Sequence, residues 1–230
     1  MTRKLVVEAI GTFFLMFTIL MVVSASPPAP LAALAIGSVL MVMVYAGGHI
    51  SGAHYNPAVT LAVFIRGKAT AAEIVPYWIA QILGASAAAL IAKSVFSLSA
   101  PPPAVPDAMP AAVAEFLFTF ALAYVVLNVA TTRGNEGNSY YGLAIGFTVL
   151  SGALAVGGVS GGVFNPAVAI GAVVFGGLAP AALPIYLVAI FAGAVLAAFL
   201  FRALDLGNDK PTTATPAQQG ELSQPASTGR

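Results

Sequence analysis

A nine-residue motif occurs twice in this chain, each time within sequence as hydrophobic as a membrane span. Residues 51–59 read SGAHYNPAV, and residues 160–168 read SGGVFNPAV. Asn is a good helix N-cap, because its side chain can satisfy a free backbone N–H. Pro fits the first helical position, where no N–H is needed. Each motif therefore predicts the start of a helix at a point where a membrane-spanning segment ought to continue unbroken.

The composition is that of a membrane protein. Of the 230 residues, 59% are hydrophobic and 7% are charged, whereas a soluble domain averages about 25% charged residues. The net charge of +1 gives no indication of a nucleic-acid partner. The absence of cysteine excludes disulfides, thiol nucleophiles and cysteine metal sites. The apolar N-terminal stretch is interpreted as a membrane span, because it lacks a clean signal-peptide cleavage site and further spans follow it.

Six stretches are apolar and long enough to cross a bilayer, whose core requires about 20 helical residues. They are predicted at residues 5–24, 31–49, 73–95, 111–131, 140–156 and 180–203. Two shorter apolar helices, residues 57–65 and 166–175, follow the motifs and reach only halfway through a membrane. The remaining segment, residues 204–230, is polar and rich in Pro, Ser and Thr, which predicts a disordered tail.

The two halves of the chain repeat one another. Tyr77 matches Tyr186 and Gly84 matches Gly193 with the offset of 109 residues (165 − 56) that relates the two motifs. Three spans per repeat is an odd number, so the second copy enters from the other side of the bilayer. The sequence therefore predicts one all-α membrane domain over residues 1–203. It contains two inverted repeats, about residues 4–97 and 111–203, with six transmembrane helices and two re-entrant half-helices.

The basic residues predict the orientation of this domain, because Lys and Arg favour the cytoplasmic side. Seven of the nine are assigned to the side of the chain termini in a six-span arrangement, and Lys93 lies near the opposite face. The basic residues on the terminal side are Arg3, Lys4, Arg66, Lys68, Arg133, Arg202 and Lys210. We therefore expect both termini in the cytoplasm.

The motifs predict a passive pore. Irregular backbone at membrane depth is tolerated where it is buried in protein or lines a wet cavity, so the two re-entrant segments should meet near the midplane. Each half-helix start carries roughly half a positive charge, which repels cations. Asn56 and Asn165 can each direct an amide N–H at a passing oxygen, although helix capping alone is the alternative role. Backbone carbonyls preceding them would supply acceptors, at Gly52, Ala53, His54, Gly161 and Val163.

These residues resemble the aquaporin and aquaglyceroporin family over roughly residues 4–203. The motif residues that carry the resemblance are Asn56, Pro57, Ala58, Asn165, Pro166 and Ala167. The resemblance implies a pore within each chain, a homotetramer in a plasma or inner membrane, and small neutral permeants. No cofactor or metal is expected, because His49 and His54 have neither cysteine nor a nearby acid beside them.

The chain departs from the family at the selectivity filter. Most members carry Arg three residues after the second motif Asn, where this chain has Val168; alignment places the other filter positions at Ile36, Ala153 and Gly162. These side chains offer no donor and predict a wide apolar filter for polyols, urea, ammonia or metalloid hydroxides. Two alternatives stay open: another side chain, such as one from residues 97–110, fills the gap, or the apolar constriction passes little water.

Two carboxylates lie within predicted spans at nearly matching repeat positions. A carboxylate at a helix centre costs roughly 2.5–3.5 kcal/mol on insertion scales. In one interpretation Glu8 pairs with Lys4 and snorkels, while Glu115 lies near the loop-side end of its span. In the other, which their matching positions favour, both accept hydrogen bonds from the re-entrant backbone. A coupled transporter and a closed structural protein are the alternatives to a passive channel. An enzyme is not expected, because no nucleophile–base pair or phosphate-binding loop is present.

Overall fold

The computed structural model describes residues 1–26, 28–100 and 103–207, which are nearly all helical. Within them, six helices are long and apolar enough to cross a membrane. They are α1 (Thr2–Ser24), α2 (Ala29–Ser51), α4 (Ala71–Ser94), α5 (Ala108–Thr131), α6 (Tyr141–Ser160) and α8 (Leu183–Ala203). The two short helices are α3 (Pro57–Ile65) and α7 (Pro166–Phe175). The predicted all-α fold with six spans and two half-length helices is confirmed.

One helix boundary differs clearly from its prediction. Helix α6 corresponds to the fifth predicted span, which ends at Val156 in the sequence analysis; in the structure the helix continues through Ser160. Gly157 and Gly158 stay helical, and the left-handed residue that ends the helix is Gly161, with φ of 88°. Glycine is the usual residue at this position, because it has no Cβ to clash there. Helix α6 is therefore a full turn longer than the sequence indicated.

Six membrane-spanning helices are an even number, so both ends of the described chain lie on the same side of the membrane. We name this side the terminal side and the opposite side the distal side. Helices α1 and α4 both start on the terminal side, where Lys4 Nζ lies 2.6 Å from Glu73 Oε1. Residues 204–207, predicted as part of a disordered tail, form a turn there instead, because Leu206 N–H donates to the Phe201 carbonyl at 3.1 Å. The rest of the predicted tail, residues 208–230, lies outside the described residues.

Two glycines at matching repeat positions allow the closest helix approaches. A Cβ at Gly84 in α4 would clash with the Ala9 carbonyl of α1, and a Cβ at Gly193 in α8 would clash with the Phe116 carbonyl of α5. Small residues of this kind let helix backbones approach within a membrane, where lipid gives no hydrophobic drive for association. The pairs α1–α4 and α5–α8 are thus equivalent parts of the two repeats.

We expect Gly193→Val to destabilise the protein by about 1–3 kcal/mol, because the added atoms meet rigid backbone. The measurement is the thermal denaturation midpoint of purified protein in detergent. The matched control is Gly158→Val, since a Cβ on that helical glycine meets nothing within 4 Å. Equal midpoints for the two variants would contradict the expectation.

Candidate functional site

The two motifs start helices in the same way. Asn56 is the N-cap of α3, and its side-chain oxygen accepts from Ala58 N–H at 2.8 Å. Asn165 is the N-cap of α7 and accepts from Ala167 N–H at 2.9 Å. Proline occupies the first helical position in both cases, where the missing N–H costs nothing. The side-chain oxygen of each Asn is therefore used in capping, and its N–H₂ group is available to donate hydrogen bonds to other partners.

The two helix starts are bonded to each other across the middle of the protein. Asn56 Nδ2 donates to the Phe164 carbonyl at 2.9 Å, and Asn165 Nδ2 donates to the Tyr55 carbonyl at 2.8 Å. Both Asn side chains are buried, at 3% and 4% exposure. Each amide group has two N–H donors, so the cross-bond uses one and leaves the second for a molecule passing between them.

A buried carboxylate holds the backbone before the first motif. Glu8 Oε1 accepts from Ser51 Oγ at 2.6 Å and from His54 N–H at 3.0 Å. Its second oxygen accepts from Tyr55 N–H at 2.6 Å and from Gln81 Nε2 at 2.8 Å. The carboxylate is fully buried, and four donors replace the hydration it has lost.

Glu115 does the same for the second motif. It accepts from Ser160 Oγ at 2.7 Å, from Val163 N–H at 2.9 Å and from Phe164 N–H at 2.6 Å. It is fully buried as well. The snorkelling alternative, in which Glu8 pairs with Lys4, is wrong, because Lys4 bonds to Glu73 at the membrane edge. Both carboxylates therefore position re-entrant backbone.

These bonds stabilise an unusual backbone conformation. Tyr55 and Phe164, which directly precede the two motif Asn residues, have φ of 50° and 48°. Left-handed conformations are uncommon for aromatic residues. In this geometry the N–H of each is bonded to a buried carboxylate and its carbonyl to the opposite Asn, so both backbone groups are satisfied.

Two further polar side chains, Thr60 and Gln81, are fully buried behind the first motif. His54 Nδ1 lies 3.1 Å from Thr60 Oγ1, and Gln81 Nε2 donates to the same hydroxyl at 3.1 Å. The matching positions in the second repeat are Val163, Ala169 and Ile190. Sequence reasoning missed Thr60 and Gln81, although an amide within an apolar span was a signal that could have found Gln81. Thr60 and Gln81 therefore bond to groups of the first re-entrant segment from behind it and do not line the cavities described next.

Three cavities lie in series through the described part of the chain. The distal vestibule has a volume of about 1060 Å³, the central constriction about 30 Å³ and the terminal vestibule about 260 Å³. Val163 lines the first two, and His54 and Val126 line the last two. Asn56 and Asn165 line the constriction, which has room for one or two water molecules. The cavities form one route past both motif Asn side chains.

The residues predicted to line the pore through their backbone lie along this route. Ala53, His54 and Val163 line the constriction. Gly52 lies in the wall of the terminal vestibule and Gly161 in that of the distal vestibule. His54 lines both the constriction and the terminal vestibule.

The four predicted filter residues all line the distal vestibule. Ile36 comes from α2, Ala153 from α6, and Gly162 and Val168 from the second motif segment. Among the described residues lining this vestibule, Asp107 is the single charged one. The connection between α4 and α5 contributes small side chains, at Ser99, Ala100, Ala104 and Val105. None of these described residues can replace the guanidinium missing at Val168.

Comparison with known proteins decides the family. A family model described as major intrinsic protein matches residues 1–156 and again residues 108–226. The chain belongs to the major intrinsic protein family. Glycerol uptake facilitator protein-like 6 of Lactiplantibacillus plantarum is 40% identical over 214 residues, covering 88% of this chain and 98% of the relative. Aquaporin NIP1-4 of Oryza sativa subsp. japonica is 37% identical over 219 residues, covering 90% of this chain and 79% of the relative.

A solved structure shares the fold. The X-ray structure of the aquaglyceroporin from Plasmodium falciparum matches with a TM-score of 0.75 at 21% identity, covering 87% of this chain and 95% of the other. At that identity the likeness concerns the fold alone. Together with the curated relatives, it confirms the predicted resemblance to aquaporins and aquaglyceroporins. This major intrinsic protein is a multi-pass passive membrane channel and not an enzyme.

We expect Glu115→Ala to destabilise the channel by about 3 kcal/mol, because two buried donors and one part-buried donor lose their acceptor and each buried one costs about 1–3 kcal/mol. The measurement is the thermal denaturation midpoint together with the yield of folded protein in the membrane. Glu136→Ala serves as the control, since Glu136 is exposed in the loop before α6. Similar midpoints for both variants would show that Glu115 does not support the motif.

Proposed function

We propose that this channel conducts water and uncharged solutes larger than water, such as glycerol, through the pore of each chain. The observation that carries the proposal is the set of four apolar filter positions, Ile36, Ala153, Gly162 and Val168, which lie together in the distal vestibule without a basic side chain among its described lining residues. One relative of high coverage is named a glycerol uptake facilitator protein-like protein. Its name agrees with a filter that admits a polyol.

The filter acts on size and hydration. Small apolar side chains give a permeant no hydrogen bond, so each solute passing them loses part of its hydration. The loss is tolerable for a neutral molecule and prohibitive for an ion. Beyond the filter, the free N–H of Asn56 and that of Asn165 can each bond a permeant oxygen, and the positive ends of α3 and α7 face the same point. Cation exclusion therefore acts mainly at the constriction.

The site does not suit a coupled transporter. Such a transporter uses an ionisable group that gains and loses an ion near the midplane. Glu8 and Glu115 are the buried carboxylates of the described chain, and both are occupied by backbone and side-chain donors. Releasing either one would break the re-entrant loop that it holds.

We infer the orientation of the channel from its basic residues, and its oligomeric state from the family resemblance. Six of the seven basic residues assigned to the terminal side lie within the described chain, from Arg3 to Arg202, which supports placing that side in the cytoplasm. We propose a homotetramer in the lipid of a plasma or inner membrane, with residues 1–203 as the channel domain and residues 204–230 as a cytoplasmic tail. The tetramer rests on the family resemblance.

The test is a stopped-flow permeability series on proteoliposomes with water, glycerol, urea and ammonia. We expect the wild type to accelerate both water efflux and glycerol uptake. A vesicle that shrinks no faster than protein-free liposomes would indicate a closed structural protein instead. Water conduction without glycerol uptake would contradict the wide filter.

Val168→Arg should lower glycerol uptake about tenfold, which corresponds to about 1.4 kcal/mol added to the barrier. The guanidinium would fill part of the filter and place a positive charge in it. Val168→Met is the matched control, because it adds a long side chain without charge. Unchanged glycerol uptake in Val168→Arg would show that Val168 does not define the filter.

A further inference from the structure

We propose that Gly157 in α6 is a fifth size-determining position of the pore, and that its missing side chain sets the largest solute that reaches the filter. The proposal rests on the proposed function and deepens it, because it concerns which neutral solutes the wide filter accepts. Neither the repeated motif nor the alignment of filter positions points to this residue.

Gly157 continues the wall of the filter toward the distal side. It lies four residues after Ala153, one turn along α6, so both residues lie on the same helix face. Both line the distal vestibule. Gly162 packs against the two of them, since a Cβ built on Gly162 would lie 3.2 Å from Ala153 Cα and 3.6 Å from Gly157 Cα. The three residues thus form one patch of the filter wall.

The space in front of Gly157 is open. A Cβ on Gly157 would meet no atom within 4 Å, whereas a Cβ on the neighbouring Gly152 would lie 2.7 Å from the Phe118 ring. A side chain at residue 157 would therefore enter the vestibule without displacing packed groups. The hydrogen bond from Gly161 N–H to the Gly157 carbonyl, 2.9 Å long, uses backbone atoms and would remain.

The direction of that side chain brings it to the filter. Side chains of an α-helix tilt toward the helix N-terminus and cover the preceding turn. Helix α6 starts on the terminal side and ends at Ser160 on the distal side, so a side chain at residue 157 would lean inward over Ala153. A leucine or phenylalanine there would narrow the entrance on the distal side of the four filter residues. The permeability of wide solutes would then fall more than that of water.

The experiment compares Gly157→Ala, Gly157→Leu and Gly157→Phe with the wild type in proteoliposomes of equal protein content. Permeability is measured for water, glycerol and the four-carbon polyol erythritol. We expect the ratio of glycerol to water permeability to fall with side-chain size, by about tenfold in Gly157→Phe, and erythritol to be lost first. Ala155→Leu is the matched control, because Ala155 is exposed on another face of α6 and should leave the ratio unchanged.

A glycerol-to-water ratio that stays constant across the series would overturn the proposal. An equal fall for all permeants would overturn it too, because damage to the whole channel does not discriminate by size. If the wild type conducts water alone, the proposed glycerol permeability fails separately. In that case a fall of water permeability in Gly157→Phe, but not in Ala155→Leu, would still support the role of Gly157, and no fall would refute it.

Discussion

The rest of the structure depends on two hydrogen bonds that join the half-helices tip to tip. Asn56 donates to the carbonyl before Asn165, and Asn165 donates to the carbonyl before Asn56. Because each bond crosses from one repeat to the other, neither half can form the constriction alone. The same bonds fix the positive ends of α3 and α7 at one point. A single pair of contacts therefore sets both the position of the narrowest point and its charge.

Buried carboxylates make this junction possible. A carboxyl group in a membrane interior is tolerated when hydrogen bonds replace its lost hydration, and Glu8 and Glu115 each accept such bonds from the re-entrant segments. In turn they allow Tyr55 and Phe164 to keep left-handed backbones whose carbonyls accept the cross-bonds. The motif, the left-handed residue and the distant glutamate thus form one structural unit, which occurs once in each repeat.

The parts of the structure that could be read from the sequence are those that depend on local pattern. The six spans, the two half-helices and the capping Asn residues follow from hydrophobic length and from Asn-Pro-Ala chemistry. The two hydrogen bonds between the repeats could not be predicted, because the sequence does not indicate which carbonyl the amide of Asn56 or Asn165 will contact. The pairing of Lys4 with Glu73, and not with Glu8 one turn away, depends on how α1 and α4 pack. The extra turn of α6 was not predicted for another reason. Paired glycines such as Gly157 and Gly158 are typical of a helix end, but here the left-handed residue that ends the helix is Gly161.

The departure from repeat symmetry has a functional consequence. His54 lines the terminal vestibule, and its counterpart in the second repeat, Val163, lines the distal vestibule. Thr60 and Gln81 are buried away from both vestibules. Under the proposed function, a solute entering from the distal side gives up part of its hydration at the four apolar filter positions before it meets the two Asn amides. Since the proposed filter holds no basic side chain among its described residues, the proposed function places discrimination against cations at the midplane and not at the entrance. At the midplane, a cation would meet both the desolvation penalty and the positive ends of α3 and α7.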